Sequence, residues 1–255
     1  MKTEVLFLKV PVSDGSLGRN EGTDSAPDAI AEKLVNQEFE EITRQSFGEM
    51  QKKTCSKAKE LMKEKTVFSL GGDHSIVYPL AKAFTGIYEE PSLIIFDAHA
   101  DCYEMMKPTS NEDYVNVLIQ ENLFKGKNIL EVGVRHTWPE EEIFIKEKGI
   151  NVIRADALKN SFEDSAKKIN EFCTKAKNIY LSIDFDVLDK EIAFATGYPE
   201  DNGLSLEELN KLTKIVLESR KVKAIDFCEY NPSFDKEEKG LNISLEIINS
   251  ALNYL

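Results

Sequence analysis

Three short stretches of this sequence collect side chains that bind divalent cations or move protons. Asp97-Ala98-His99-Ala100-Asp101 sets an acid, an imidazole and an acid at alternate positions. In extended backbone the period of two sends Asp97, His99 and Asp101 to one side and the small Ala98 and Ala100 to the other. Asp184-Phe185-Asp186 puts two carboxylates in phase in the same way. In Gly71-Gly72-Asp73-His74-Ser75 the glycines permit a tight turn and an imidazole follows it. Taken singly, these are an acidic loop, a hydrogen-bonded His–Asp pair and a turn. Together they bring six potential ligands to three places, and four carboxylates crowded at one edge repel strongly unless cations neutralise them. Carboxylate and imidazole without thiolate suit Mn²⁺ best. Zn²⁺, Co²⁺ and Fe²⁺ fit the same ligands, since affinity alone does not choose among them.

Each stretch follows a segment that reads as a strand. β-rich runs at 5–10, 66–70, 92–96, 128–134, 151–154, 178–183 and 221–227 alternate with helical periodicity at 27–36, 51–63, 76–84, 114–122, 139–148, 162–175 and 206–219. Apolar residues at Leu241, Leu245, Ile248, Leu252 and Leu255 predict a last helix that serves the core or a subunit contact. Strands that alternate with helices imply parallel crossovers. The expected fold is therefore a single α/β domain over 1–255, a three-layer sandwich with a mostly parallel central sheet. In such folds the carboxyl ends of strands carry the site, and the long loops 11–26 and 97–113 agree with that.

Composition excludes other classes. With 42% hydrophobic and 30% charged residues, the 255-residue chain can fill a core and is not disordered in character. A net charge of −13 opposes nucleic acid and anionic membrane as partners, and no basic stripe offsets it. Lys52, Lys53, Lys57, Lys59, Lys63 and Lys65 are interrupted by Glu60 and Glu64, as on a solvated helix face. Cys55, Cys102, Cys173 and Cys228 form no CxxC pair and read as reduced thiols. MKTEVLFLKVP reads as a first strand rather than a signal peptide, so the expected location is cytoplasmic.

The three stretches, the last extended through Ser182-Ile183-Asp184-Phe185-Asp186-Val187-Leu188-Asp189, resemble the metal motifs of the ureohydrolase family of arginases, agmatinases, formimidoylglutamases and guanidinobutyrases. Asn20-Glu21-Gly22, Ala26-Pro27-Asp28-Ala29-Ile30, Ala195-Thr196-Gly197-Tyr198-Pro199-Glu200 and Glu229-Tyr230-Asn231-Pro232 extend the resemblance, in order, along nearly the whole chain. It implies an arginase-like fold with two Mn²⁺ ions and a bridging hydroxide that attacks the central carbon of a guanidinium or amidine. By the same resemblance His74 and Asp101 bind one ion, His99 and Asp186 the other, and Asp97 and Asp184 bridge. Glu229 grips a small cationic guanidine or amidine, Thr196 contributes to substrate binding, and Asp101, His136 and Glu229 are the catalytic candidates. A homo-oligomer, trimer or hexamer, is implied as well. An agmatine-like amine is favoured over arginine, because no counterpart is evident for the polar loop with which arginases hold an amino acid head group.

One family feature is missing. The loop after the second motif normally carries a histidine assigned to proton transfer, and residues 102–135 contain none. Glu104, Asp113 or His136 could fill its place. Trp138 reads as packing, and strand parity turns Cys102 and Cys228 away from the metals. The alternative readings are a metal-binding but inactive or regulatory homologue, and a single-metal amide hydrolase of histone-deacetylase type.

Overall fold

The computed structural model describes residues 4–255, and eight parallel strands form its one sheet. The strands are β1 (Val5–Val10), β2 (Phe39–Glu41), β3 (Thr66–Gly71), β4 (Pro91–Phe96), β5 (Ile129–Val134), β6 (Asn151–Arg154), β7 (Asn178–Asp184) and β8 (Val222–Cys228). Between them run helices α1 (Ala26–Ala31), α2 (Phe47–Leu61), α3 (Val77–Thr85), α4 (Tyr114–Gln120), α5 (Pro139–Lys148), α6 (Ala155–Asn160), α7 (Phe162–Lys175), α8 (Leu206–Glu218) and α9 (Lys239–Leu252). The sheet order is β2-β1-β3-β8-β7-β4-β5-β6.

Alternation along the strands splits the core in two. Phe68 and Leu70 of β3, Ile94 and Phe96 of β4, Leu181 and Ile183 of β7, and Ile225 and Phe227 of β8 face one side. There they pack on Ile30 of α1, Ile169 of α7, Leu212 and Val216 of α8, and Ile247 and Ile248 of α9. Their neighbours Val67, Leu93, Ile95, Tyr180 and Ala224 face the other side, against Met50 and Ala58 of α2, Leu80 and Phe84 of α3, Leu118 of α4 and Ile145 of α5. Strands apolar on both faces need helices on both faces, which gives the three layers. No helix among the described residues is long and apolar enough to cross a membrane.

Two short elements lie outside the expectation. β2 has three half-exposed residues paired only to β1, too few to show a period, and α6 is a turn and a half cut from α7 by Ser161. Ser161 Oγ accepts the Asp164 amide and so starts α7 afresh. The first helix stops at Ala31 rather than 36, where Asn36 already has a left-handed φ of 62°. α2 begins four residues before the expected 51, after the extended Ser46, whose carbonyl accepts the Glu49 and Met50 amides.

The central four strands, β3-β8-β7-β4, end in the residues singled out above. Gly72, just after β3, and Gly133, near the end of β5, meet special demands of the backbone. At Gly72 a Cβ would stand 1.8 Å from the Val12 carbonyl oxygen, and at Gly133 φ is +103° where the β5–β6 register shifts.

Candidate metal centre

His74 leaves β3 through a fixed turn. Asp73 accepts hydrogen bonds from the Ser75 amide at 3.0 Å and, across the loop, from the Ser16 amide at 3.0 Å, so the turn leading into α3 is capped from its own side chain. Burial, with the Glu229 charge nearby, pushes the Asp73 carboxyl up to about 7. The two acidic stretches are built alike. Asp97 Oδ1 accepts the His99 amide at 2.7 Å, and Asp184 Oδ1 accepts the Asp186 amide at 2.7 Å. Asp186 Oδ1 then accepts the Ala98 amide at 3.1 Å, which ties the end of β7 to the end of β4.

All six side chains converge. His74 Nδ1 lies 3.0 Å from Asp97 Oδ2 and 3.2 Å from both Asp101 Oδ2 and Asp184 Oδ2. His99 Nδ1 lies 3.1 Å from Asp186 Oδ2 and 3.5 Å from Asp97 Oδ1. Two sets of ligand atoms close enough for one ion each result, His74–Asp97–Asp101 and Asp97–His99–Asp186, and Asp97 belongs to both. Asp97 Oδ2 makes no hydrogen bond of proper geometry among the described residues, although it is buried. An orphaned carboxylate oxygen between two imidazoles and three further acids fits a cation.

The charge balance agrees. Burial alone would lower the His74 imidazole, but hydrogen bonds to Asp101 and Asp97 and the Asp184 charge outweigh it and raise it well above the usual value. For His99 burial is likewise outweighed, chiefly by Asp186. Burial and the Asp97 charge raise Asp101, and burial and the Asp186 charge raise Asp184. Asp97 stays below the usual carboxylate range, held there against burial by the two imidazoles. Without cations the cluster thus balances itself with protons, which divalent ions can replace.

Glu229 comes directly after β8, beside the same site. Its Oε1 accepts the His74 amide at 2.7 Å and the Asn111 amide group at 3.4 Å, and its Oε2 accepts Asn20 Nδ2 at 2.6 Å. Burial raises its carboxyl above the usual range. Asn111 separates it from a cavity of about 240 Å³ that Asp101, His99, His136, Glu141 and Glu200 also line. Tyr103, Trp138 and Tyr198 give this cavity aromatic walls, and Arg19, paired with Glu112 at 3.3 Å and 5.0 Å over the Tyr198 ring, supplies a cation at its rim.

His136 stands in that cavity, half-exposed, edge-on to His99 and Trp138 and 3.8 Å from Glu200. Thr196 is buried, its hydroxyl has no hydrogen-bond partner among the described residues, and it does not line the cavity. Glu104 is exposed and not among the cavity residues. Asp113 is spent inside its loop, accepting the Met106 and Ser110 amides at 2.6 Å each. Neither carboxylate stands where the loop histidine was expected, because the loop folds Asp113 inward and Glu104 outward. Trp138 is 53% exposed at the cavity mouth, so it walls a site rather than filling a core.

Sequence reasoning missed Tyr114, whose hydroxyl lies 3.4 Å from His74 Nδ1 and whose ring packs edge-on to the imidazole. At the first position of a helix it gave no signal of its own. Asn111 and Arg19 were missed also, for their place depends on loop paths.

An α/β protein with two overlapping carboxylate–imidazole sets at the strand ends of one parallel sheet is the class that fold and site define. The chain matches the Arginase family over residues 3–253 and belongs to it. It is 29% identical to an arginase of Plasmodium falciparum over 75% of this chain and 52% of that protein. To an agmatinase of Halalkalibacterium halodurans it is 29% identical over 71% of this chain and 61% of that one. A formimidoylglutamase of Staphylococcus epidermidis is 26% identical over 95% of this chain and 82% of its own length. The match thus spans about half of the arginase and under two thirds of the agmatinase. Among solved structures, formimidoylglutamase from Bacillus subtilis superposes with a TM-score of 0.91 at 20% identity, covering 98% of this chain and 86% of that one, a likeness of fold.

Proposed function

We propose that the protein hydrolyses a linear C–N bond of a guanidino or amidino compound with two divalent cations, Mn²⁺ first among them. His74 and Asp101 would hold one, His99 and Asp186 the other, with Asp97 and Asp184 between. The observation that carries this is Asp97, common to both ligand sets and orphaned at Oδ2. Bound there, such cations supply Lewis acidity, lowering the pKa of water and offsetting negative charge at the carbon under attack.

The chain's own residues do the rest. Glu229, behind Asn111, offers a carboxylate to a planar cation with paired N–H donors. Asp101 presents its carboxylate to the cavity and to His74 at once. His136, beside Glu200 at the mouth, would carry protons between the cavity and solvent; its 3.8 Å approach to Glu200 and its exposure support this. Thr196, buried outside the cavity, would act on the substrate only indirectly, through the segment that carries Tyr198 and Glu200 to the cavity wall. Acidic walls from Glu112, Glu141 and Glu200 support an amine-tailed, agmatine-like substrate; Arg19 favours the second reading, a carboxylate tail.

The test is release of urea, formamide or ammonia by the Mn²⁺-loaded protein from arginine, agmatine, guanidinobutyrate, formimidoylglutamate and guanidine. Turnover of agmatine above the rest supports the first reading, and of a carboxylate-tailed compound the second. Two bound Mn²⁺ with no turnover of any would instead make this a regulatory homologue. A trimer or hexamer belongs to the same proposal, and sedimentation velocity measures it.

A further inference from the structure

His74 is held through its other ring nitrogen by a buried chain that leads away from the carboxylates. His74 Nε2 lies 2.8 Å from Ser182 Oγ, and Ser182 Oγ donates to Asp226 Oδ1 at 2.9 Å. Ser182 and Asp226 are cross-strand partners between β7 and β8, and on its other side Asp226 pairs with Ser69 of β3. Asp226 is wholly buried in the middle of the sheet, yet among the described residues the well-formed hydrogen bonds it accepts come from Ser182 and, at 3.2 Å, the Cys228 thiol; the Tyr180 hydroxyl lies nearby without a bond of proper geometry, and Oδ2 has none. A carboxyl group so placed is costly to bury, and packing does not call for it.

The direction of the chain gives it a purpose. A serine hydroxyl has one proton to give. Given to Asp226, it leaves Ser182 Oγ able only to accept from His74, so Nε2 carries the hydrogen. Nδ1, the nitrogen that faces Asp97, Asp101 and Asp184, is then free to present a lone pair. With Asp226 gone, the hydroxyl is free to turn toward Nε2 and to favour the opposite tautomer, with hydrogen on the nitrogen that must bind the ion.

We propose that Asp226, acting through Ser182, is a positioning residue that fixes the ring orientation and tautomer of His74 for a cation at Nδ1. This rests on the reading of His74 as a ligand. A competing use of the same atoms exists, since His74, Asp226 and Cys228 lie close enough together to hold an ion themselves. The interposed Ser182 hydroxyl, at hydrogen-bond distance from both His74 and Asp226, favours the relay.

The experiment is calorimetric titration of the chelator-stripped full chain with Mn²⁺. Asp226→Asn and Ser182→Ala should each weaken one of the two Mn²⁺ equivalents by about 10–100-fold and leave the other near wild type. Ser182→Thr, which restores a hydroxyl, should recover most of that loss, and the thermal midpoint of the metal-free Ser182→Ala protein should stay close to wild type. A purely structural serine would lower the midpoint and weaken both equivalents together. Cys228→Ala should change neither equivalent, and loss of a bound ion on that substitution would show a separate cation site and overturn the relay. If His74→Ala removes one equivalent while Asp226→Asn and Ser182→Ala remove none, the relay alone is overturned. If His74→Ala leaves both in place, the ligand reading fails and the relay falls with it.

Discussion

Asp101 and Glu229 both hold left-handed backbone, with φ of 46° and 69°, a conformation that costs a non-glycine residue on the order of 1 kcal/mol and persists where the surroundings impose it. Both carboxylates belong to the site, and their roles differ. Glu229→Gln keeps the hydrogen-bonding shape but removes the charge, so metal content measured by elemental analysis should be unchanged while kcat falls by at least ~10². Loss of metal would make Glu229 a ligand. Asp184→Asn should cost both ions much of their affinity, and Asp186→Asn mainly one. Away from the ligands, Glu131 of β5 is fully buried, neither carboxylate oxygen has a hydrogen-bond partner among the described residues, and burial holds its carboxyl well above the usual range. A carboxyl raised on folding stabilises the protein below its unfolded pKa of about 4.3 and loses that stability as pH climbs toward the folded value. Glu131→Gln cannot ionise, so its thermal midpoint relative to wild type should rise as pH climbs above the unfolded value of about 4.3. A pH-independent difference would show that Glu131 is ionised in the fold. At this scale the convergence of the six candidate ligands was legible, since residue type and a period of two suffice to collect them. Tyr114 and Asn111 were not, because only the path of the loop 97–113 brings them to His74 and Glu229.

The elements were legible wherever their pattern ran for more than about one turn or four residues. β1 and β6 fall where expected, and α5 and α7 match to the residue. Strand order was not, for crossover helices hide which strands are neighbours. That order makes the site, since β3, β8, β7 and β4 lie side by side and each delivers its last residues to one edge. Arg135, just past β5, locks the segment after β7 in place by donating to the carbonyls of Gly133, Asp186, Val187, Leu188, Glu200 and Asp201. Its guanidinium thus serves as a backbone clamp. A lysine has neither the fork nor the number of donors. Arg135→Lys should destabilise the protein by about 1–3 kcal/mol in urea unfolding. Unchanged stability would mean that the segment carrying Asp186 and Glu200 is held by other contacts.

For the whole molecule, a net charge of −13 and four clustered carboxylates beside two imidazoles and Glu229 mean that any cation held there would stabilise the fold. Ions that bind only the native state stabilise it by mass action, about 2.7 kcal/mol at a hundred times Kd. Mn²⁺ should therefore raise the thermal midpoint and EDTA reverse it, with Mg²⁺ doing less at the same concentration because imidazole suits it poorly. The fold class was legible from the alternation of strands and helices, and the family from three ordered motifs. What the sequence left open is what the cavity accepts, because Arg19, Glu112 and Tyr198 meet only in three dimensions. The account stands or falls on the proposal that two ions share Asp97, which belongs to both ligand sets. Elemental analysis of the chain after Mn²⁺ loading and desalting should give two equivalents; a stoichiometry of one, with all six metal-centre residues intact, would contradict it.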